Sequence, residues 1–583
     1  MCRRFSGGSL SFIAACLIFL IVQPVHSHTP VGARYGMVVS SDALASAVGR
    51  DILAQGGNAV DAAVAVAYAL AVTHPSAGNI GGGGFMLVKM ADKEAVAIDY
   101  REVAPASASP TMYLDANGEV IQNASSRGPR SSGVPGTVAG LSLALERYGS
   151  LKLDALVAPA IKLAQDGFTV SYGLSASMAD TAEDNFIADF KLFPASAQAY
   201  LKNGHPYQPG DTLRQPDLAN TLRLIANEGP DAFYRGSIAD RIDAIMKRDG
   251  GLITKGDLAA YRPMLRKPLT TTYRGYTVYT MPPPSSGGII LIGLLNVLEP
   301  YNLKEMGHNS SAFIHLFAEA CNRYYADRAF FMGDPDFIDI PVAGLTSPAY
   351  AGHIRRLIDL NRHAPSQEVT HGDSLALGTI GAQFQESRET THFSIVDRWG
   401  NAVSNTYTLN WSYGSRYVVE GTGILMNDEM DDFSIKPGVP NLYGLVGADA
   451  NAIQPNKRML SSMTPTIITK DNKPFLVVGS PGGSRIITGV CQTILNVIDH
   501  QMNVEEAVVA SRVHSQWLPD HIVIEKLGVP RDVQEALASK GHTVVVDDYG
   551  YMGEVHAILV DPEKGLLFGA FDPRWGTSAA VGY

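Results

Sequence analysis

The feature that most constrains this chain is an abrupt change of pattern at Thr390. From about Ala364 to Arg388 the sequence is polar and glycine-containing, with neither helical nor strand periodicity. It then switches to strand-like alternation from Thr391 to Val396, a Gly-containing turn from Asp397 to Asn401, and a partner run from Ala402 to Leu409. This predicts a hairpin with Thr390 at its open end and Thr408 near it. Thr390 has two readings at such a boundary. As a β-branched residue it simply opens a strand. Alternatively the chain cleaves itself before Thr390, and the freed α-amino group activates the Thr390 hydroxyl.

With 583 residues the chain can build one large layered α/β unit or several smaller domains. A formal net charge of −11 and a pI near 5.8 argue against a nucleic-acid groove and against anionic membranes. A small-molecule or peptide substrate fits better. Arg3 and Arg4, the apolar run Leu10 to Val22 and Ser27 form the pattern of a secretory signal over residues 1–27, with a mature start near His28. The competing reading is a retained anchor, but the run falls short of the roughly 20 residues a span needs. Removing the segment takes Cys2 and Cys16 with it and leaves Cys321 and Cys491, which are no disulfide framework. The expected location is therefore exported, periplasmic or secreted, with the few cysteines leaning toward a bacterial periplasm.

Along the chain, Ser41 and Asp42 predict a capped helix through Leu53, and Ala59 to Val72 predicts a second helix, apolar almost all round and so buried. Gly81 to Gly84 match neither a dinucleotide fingerprint nor a P-loop and suit a tight backbone crossing beside a sheet. Phe85 to Met90 and Ala95 to Tyr100 predict a hairpin ending in Arg101 and Glu102. Further helices are expected over Val138 to Arg147 and Pro216 to Asn227, and a strand from Tyr273 to Thr280. The acids of Gly333 to Asp336 fail the calcium-loop pattern, and neither a zinc-binding helix motif nor a Cys pair is present, so no catalytic metal is expected. A long loop from Lys436 to Asn456 follows the acidic run Glu429 to Asp432. Finally, the apolar strand Phe475 to Ser480 runs through Pro481, Gly482, Gly483 and Ser484 into a helix from Arg485 to His500. That corner gathers backbone N–H groups and suits an oxyanion.

Taken in order, Gly78 to Phe85, Asp99 to Pro105, Pro284 to Gly288, Ala326 to Phe337, Thr390 to Asn410, Asn427 to Ser434, Asn456 to Pro465, Gly479 to Arg485 and Asp572 to Arg574 closely resemble the γ-glutamyltransferase (γ-glutamyl transpeptidase) family. The resemblance implies an α/β N-terminal-nucleophile hydrolase fold, a four-layer αββα sandwich. It implies self-cleavage between Glu389 and Thr390, giving a large piece, 28–389, and a small piece, 390–583, that stay together as a heterodimer from one precursor. Thr390 would be the nucleophile and its α-amino group the base, with Thr408 orienting the hydroxyl and Gly482 and Gly483 receiving the oxyanion.

Arg101, Ser461 and Ser462 would hold the substrate's α-carboxylate, and Asp432, Glu429 and Asn410 its α-ammonium. Glu429 stands where bacterial members often have Gln. A lid from Pro437 to Asn451 would cover the pocket with Tyr443. The implied substrates are glutathione and other γ-glutamyl compounds, the acceptors water, amino acids or dipeptides, and no cofactor is needed. Two rivals remain: a glutaryl-removing acylase of the same architecture, which needs no ammonium site, and an inert exported binding protein.

Overall fold

The structure is a computed structural model that describes residues 29–179, 185–369, 371, 390–441, 444–547 and 552–583. The signal-like segment 1–27, Glu389 and Tyr443 lie outside the described residues.

The local signals fold as the sequence dictates. Asp42 caps helix Ala43–Ala54 by accepting from Leu44 and Ala45 N–H, and Asn58 with Asp61 forms a capping box on helix Ala59–Thr73. Every residue of that second helix is buried, as its apolar circumference requires. The hairpin after Thr390 forms from Thr391–Asp397 and Ala402–Thr408. One expectation needs correction. The strand expected from Tyr273 to Thr280 begins at Tyr276; Tyr273 ends its hairpin partner Leu269–Tyr273, and the chain reverses at Arg274 and Gly275. Both turn residues have positive φ, +49° and +82°, which suits the right-handed twist of the flanking strands.

Two seven-stranded antiparallel sheets face each other. The first runs Ala579–Gly582, Gly36–Ser40, Thr391–Asp397, Ala402–Thr408, Gly83–Lys89, Val96–Tyr100, Met264–Arg266; the second runs Val31–Ala33, Leu566–Phe571, His556–Asp561, Lys473–Gly479, Thr466–Lys470, Tyr276–Thr280, Leu269–Tyr273. Successive side chains of a strand point to opposite faces. Accordingly Val38, Met86 and Val88 join the apolar cluster built on helices Ala43–Ala54 and Ala59–Thr73, while Met37, Val39, Phe85 and Leu87 join the cluster of the second sheet. Helices Gly287–Leu298, Ser311–Phe331 and Arg485–Ile498 cover that sheet from outside. The result is the αββα sandwich.

In the first sheet, Thr391–Asp397 and Ala402–Thr408 lie between Gly36–Ser40 and Gly83–Lys89. Chain from before and after Thr390 is thus interleaved and hydrogen-bonded in one sheet, so a cut at that point leaves the ladders intact. Among the described residues no helix is long and apolar enough to cross a membrane.

Candidate active site

Thr391 pairs with Tyr407 in the hairpin register, which sets Thr390 opposite Thr408 at the open end. Thr390 is 5% exposed. The glycine run packs against this end: a Cβ on Gly82 would sit 2.1 Å from the Thr408 carbonyl oxygen, and one on Gly81 2.2 Å from that of Leu425. Only glycine permits so close a crossing, as the sequence suggested. Asn79 ties the crossing together, donating to the Thr408 carbonyl at 2.8 Å and accepting from Gly82 N–H at 2.9 Å. Thr408 Oγ1 accepts from Asn410 N–H at 2.8 Å.

Strand Lys473–Gly479 ends beside this point, and the chain turns through Gly482 at φ +130° and Gly483 at φ +55° into helix Arg485–Ile498. Ser484 gives that helix no side-chain cap. A small cavity opens here, and its lining includes Thr390, Thr408, Asn410, Gly483, Arg101, Glu429, Asp432, Ser461 and Ser462. Gly482 adjoins the cavity without lining it. The structure therefore gathers most of the candidate residues from five separate stretches of chain. Leu445, Met463 and Ile486 also line it, apolar contributions that the sequence reading missed because their placement is purely tertiary.

Arg101 is fully buried at the end of strand Val96–Tyr100. It donates to both Glu429 and Asp432, and more weakly to the Met459 and Leu460 carbonyls at 3.3 and 3.4 Å. The sequence reading set Arg101 and the two acids on opposite sides of a ligand; here they touch directly. Glu102 Oε2 lies 3.6 Å from Arg101, and neither Glu102 oxygen has a hydrogen-bond partner. Burial raises the carboxyls of Glu102, Glu429 and Asp432 above their usual range, and Arg101 pulls each back. Glu102 is pushed up to about 8. Three buried carboxyls crowd one guanidinium, and crowded like charges cannot all ionise.

The lid candidate is anchored at its base. Asn441 donates to Asp432 at 3.3 Å, Gly438 N–H to the Gly447 carbonyl at 3.0 Å, and Asn451 to the Asp432 carbonyl at 2.6 Å. Leu445 is the described lid residue that reaches the cavity.

A histidine cluster on helix Ser311–Phe331 also has metal-ligand types: ligand atoms of His315, Glu319 and His542 lie within 4.8 Å of one another. They are engaged with each other and their neighbours. His315 meets His542 at 2.7 Å, and Glu319 accepts from Arg323 and His363, each at 2.7 Å.

A threonine heading an inner strand, between facing antiparallel sheets that helices enclose, with a glycine turn at its side, defines the N-terminal-nucleophile hydrolase class. Within that class, the model of the gamma-glutamyltranspeptidase family matches residues 45–582, and the chain belongs to that family. A glutathione hydrolase proenzyme of Escherichia coli (strain K12) is 50% identical over 557 residues, 95% of this chain and 93% of that protein. Among solved structures, a cephalosporin acylase from Bacillus halodurans superposes with a TM-score of 0.81 at 28% identity, covering 100% of this chain and 99% of its own. The Helicobacter pylori gamma-glutamyltranspeptidase gives 0.56 at 43% identity over 60% of this chain and 97% of its own.

Proposed function

We propose that the protein is an exported, self-processing γ-glutamyltransferase acting on glutathione and related γ-glutamyl amides. In processing, Thr390 Oγ attacks the Glu389 carbonyl carbon and the C–N bond breaks with a proton passing to nitrogen, which frees the Thr390 α-amino group; water then hydrolyses the resulting ester, releasing the Glu389 carboxylate and restoring the Thr390 hydroxyl. In turnover that amine accepts the hydroxyl proton as Thr390 Oγ attacks the substrate γ-carbonyl. Backbone N–H groups at Gly482 and Gly483 receive the oxyanion, an interaction of about 3 to 4 kcal/mol per donor in comparable sites. The leaving amine takes the proton, and water or an acceptor amine then releases the γ-glutamyl group from the Thr390 ester. Arg101, Ser461 and Ser462 bind the α-carboxylate and Asp432, Glu429 and Asn410 the α-ammonium. For this, Arg101 exchanges part of its contact with the acids for the ligand's carboxylate.

The observation that carries this reading is a single cavity lined by Thr390, by a buried guanidinium and by two acids. A glutaryl acylase has no use for the acid pair. Hydrolysis of γ-glutamyl-p-nitroanilide and of glutaryl-p-nitroanilide by the purified protein separates the two. Release of nitroaniline from the first alone is expected. Preference for the glutaryl compound would move the protein to the acylase reading.

A further inference from the structure

Behind the cavity wall lies a second buried arginine that no step above uses. Arg328 sits near the end of helix Ser311–Phe331 and is 5% exposed. Among the described residues no carboxylate lies within ion-pair distance of it; its side-chain partners are two hydroxyls. Nε donates to Ser286 Oγ at 3.1 Å and Nη2 to Ser462 Oγ at 3.5 Å. Burial draws its pKa down to about 10, Asp432 works against that shift, and Arg101 adds to it. A cation so placed is expensive to hold without a countercharge.

Ser462 lines the cavity that the substrate's carboxylate would enter, and Ser286 lies behind it against the Ser461 carbonyl. Ser286 Oγ accepts from Arg328 and passes its own hydrogen to the Ser461 carbonyl at 2.8 Å; Ser286 N–H donates to the same carbonyl at 2.8 Å. That fixes the backbone of the Ser461–Ser462 turn. Ser462 Oγ likewise accepts from Arg328, so its own O–H must point elsewhere. Among the described residues no protein acceptor takes that hydrogen, and Ser462 lines the cavity beside Arg101.

We propose that Arg328 is a positioning and specificity residue for the ligand's α-carboxylate. It makes Ser462 an obligate donor into the cavity and supplies, one hydroxyl removed, the positive charge that favours an anion there. This rests on the γ-glutamyl reading and deepens it: the carboxylate is recognised by two guanidiniums, Arg101 directly and Arg328 through Ser462.

The test compares wild type, R328K, R328Q, S462A and R328Q/S462A on γ-glutamyl-p-nitroanilide and on the analogue whose α-carboxylate is a neutral carboxamide. Each variant is first checked for its two cleaved pieces. For R328Q, KM on the carboxylate substrate is expected to rise roughly tenfold or more with kcat within about twofold, while kcat/KM on the carboxamide stays within about twofold. R328K keeps the charge without the fork and falls between. The double variant is expected to be no worse than S462A, because both changes remove one interaction. Equal losses on the two substrates, or losses that multiply in the double variant, would overturn the proposal. If R328Q is not processed, R328K carries the same substrate comparison, and equal loss on both compounds again refutes it. Wild-type enzyme inert toward the γ-glutamyl anilide would instead defeat the underlying reading.

Discussion

The imidazole of His392, two residues after Thr390, lies against Gly479, so close that a Cβ on Gly479 would sit 2.2 Å from His392 Cε1. His392 is buried between the sheets and bonded to Thr406 Oγ1 at 2.8 Å and Ser394 Oγ at 3.0 Å. Gly479 is the last residue of the strand that leads to the Gly482–Gly483 turn. The contact therefore sets the spacing between the strand that follows Thr390 and the Gly482–Gly483 turn.

Gly479→Ala forces the two strands apart. Overpacking of this kind costs typically about 1 to 3 kcal/mol, and a shift of the turn relative to Thr390 lowers kcat more than it raises KM. A thermal melt combined with steady-state kinetics checks both. A variant that melts and turns over like wild type would contradict the role given to this contact.

Thr408→Val keeps the shape but leaves the buried Asn410 N–H without its acceptor. Stability is expected to fall by about 1 to 3 kcal/mol. Because the same hydroxyl lies opposite Thr390, self-cleavage also slows, which a time course of precursor disappearance on a gel would follow.

Arg101→Lys retains a positive charge but loses the fork that meets Glu429 and Asp432. Charge-assisted hydrogen bonds contribute about 1.5 to 3 kcal/mol, so kcat/KM for a γ-glutamyl anilide is expected to drop roughly 10- to 100-fold, mostly through KM. A lysine variant with unchanged KM would remove Arg101 from the binding site.

His363 joins the chain before Thr390 to the chain after it, bonded to Glu319 at 2.7 Å and Asp520 at 3.0 Å. His542, Arg323 and His315 face the same cluster. Burial works to lower the His363 pKa, but the bonds to Asp520 and Glu319 outweigh it and hold it at about 9. A histidine raised in the folded state contributes stability that is full below its ordinary value of 6.5 and is lost as pH rises through about 9. The melting-temperature gap between wild type and His363→Gln should therefore be widest near pH 6 and close by pH 10. A gap that does not change with pH would contradict this.

Much of the site was legible because its signals are local. The hairpin after Thr390, the cap at Asp42, and the glycine turn before Arg485 each follow from neighbours in sequence. Leu445, Met463, Ile486 and Arg328 were not, since they reach the site or its wall only through tertiary packing and carry no local mark. The strand expected from Tyr273 ran through the turn at Arg274 and Gly275 because Thr and Tyr continue on both sides of it; Gly275 was the available signal. The close contact of Gly479 with His392 became visible only once the two sheets were set face to face.

The central claim is that Thr390 cuts the chain before itself and then serves as the nucleophile. The most direct measurement is the intact mass and N-terminal sequence of the purified protein beside a Thr390→Ala control. The account predicts two pieces, the smaller beginning at Thr390, and a control that stays whole. An uncut chain in both, or a control that is cleaved like wild type, would contradict it.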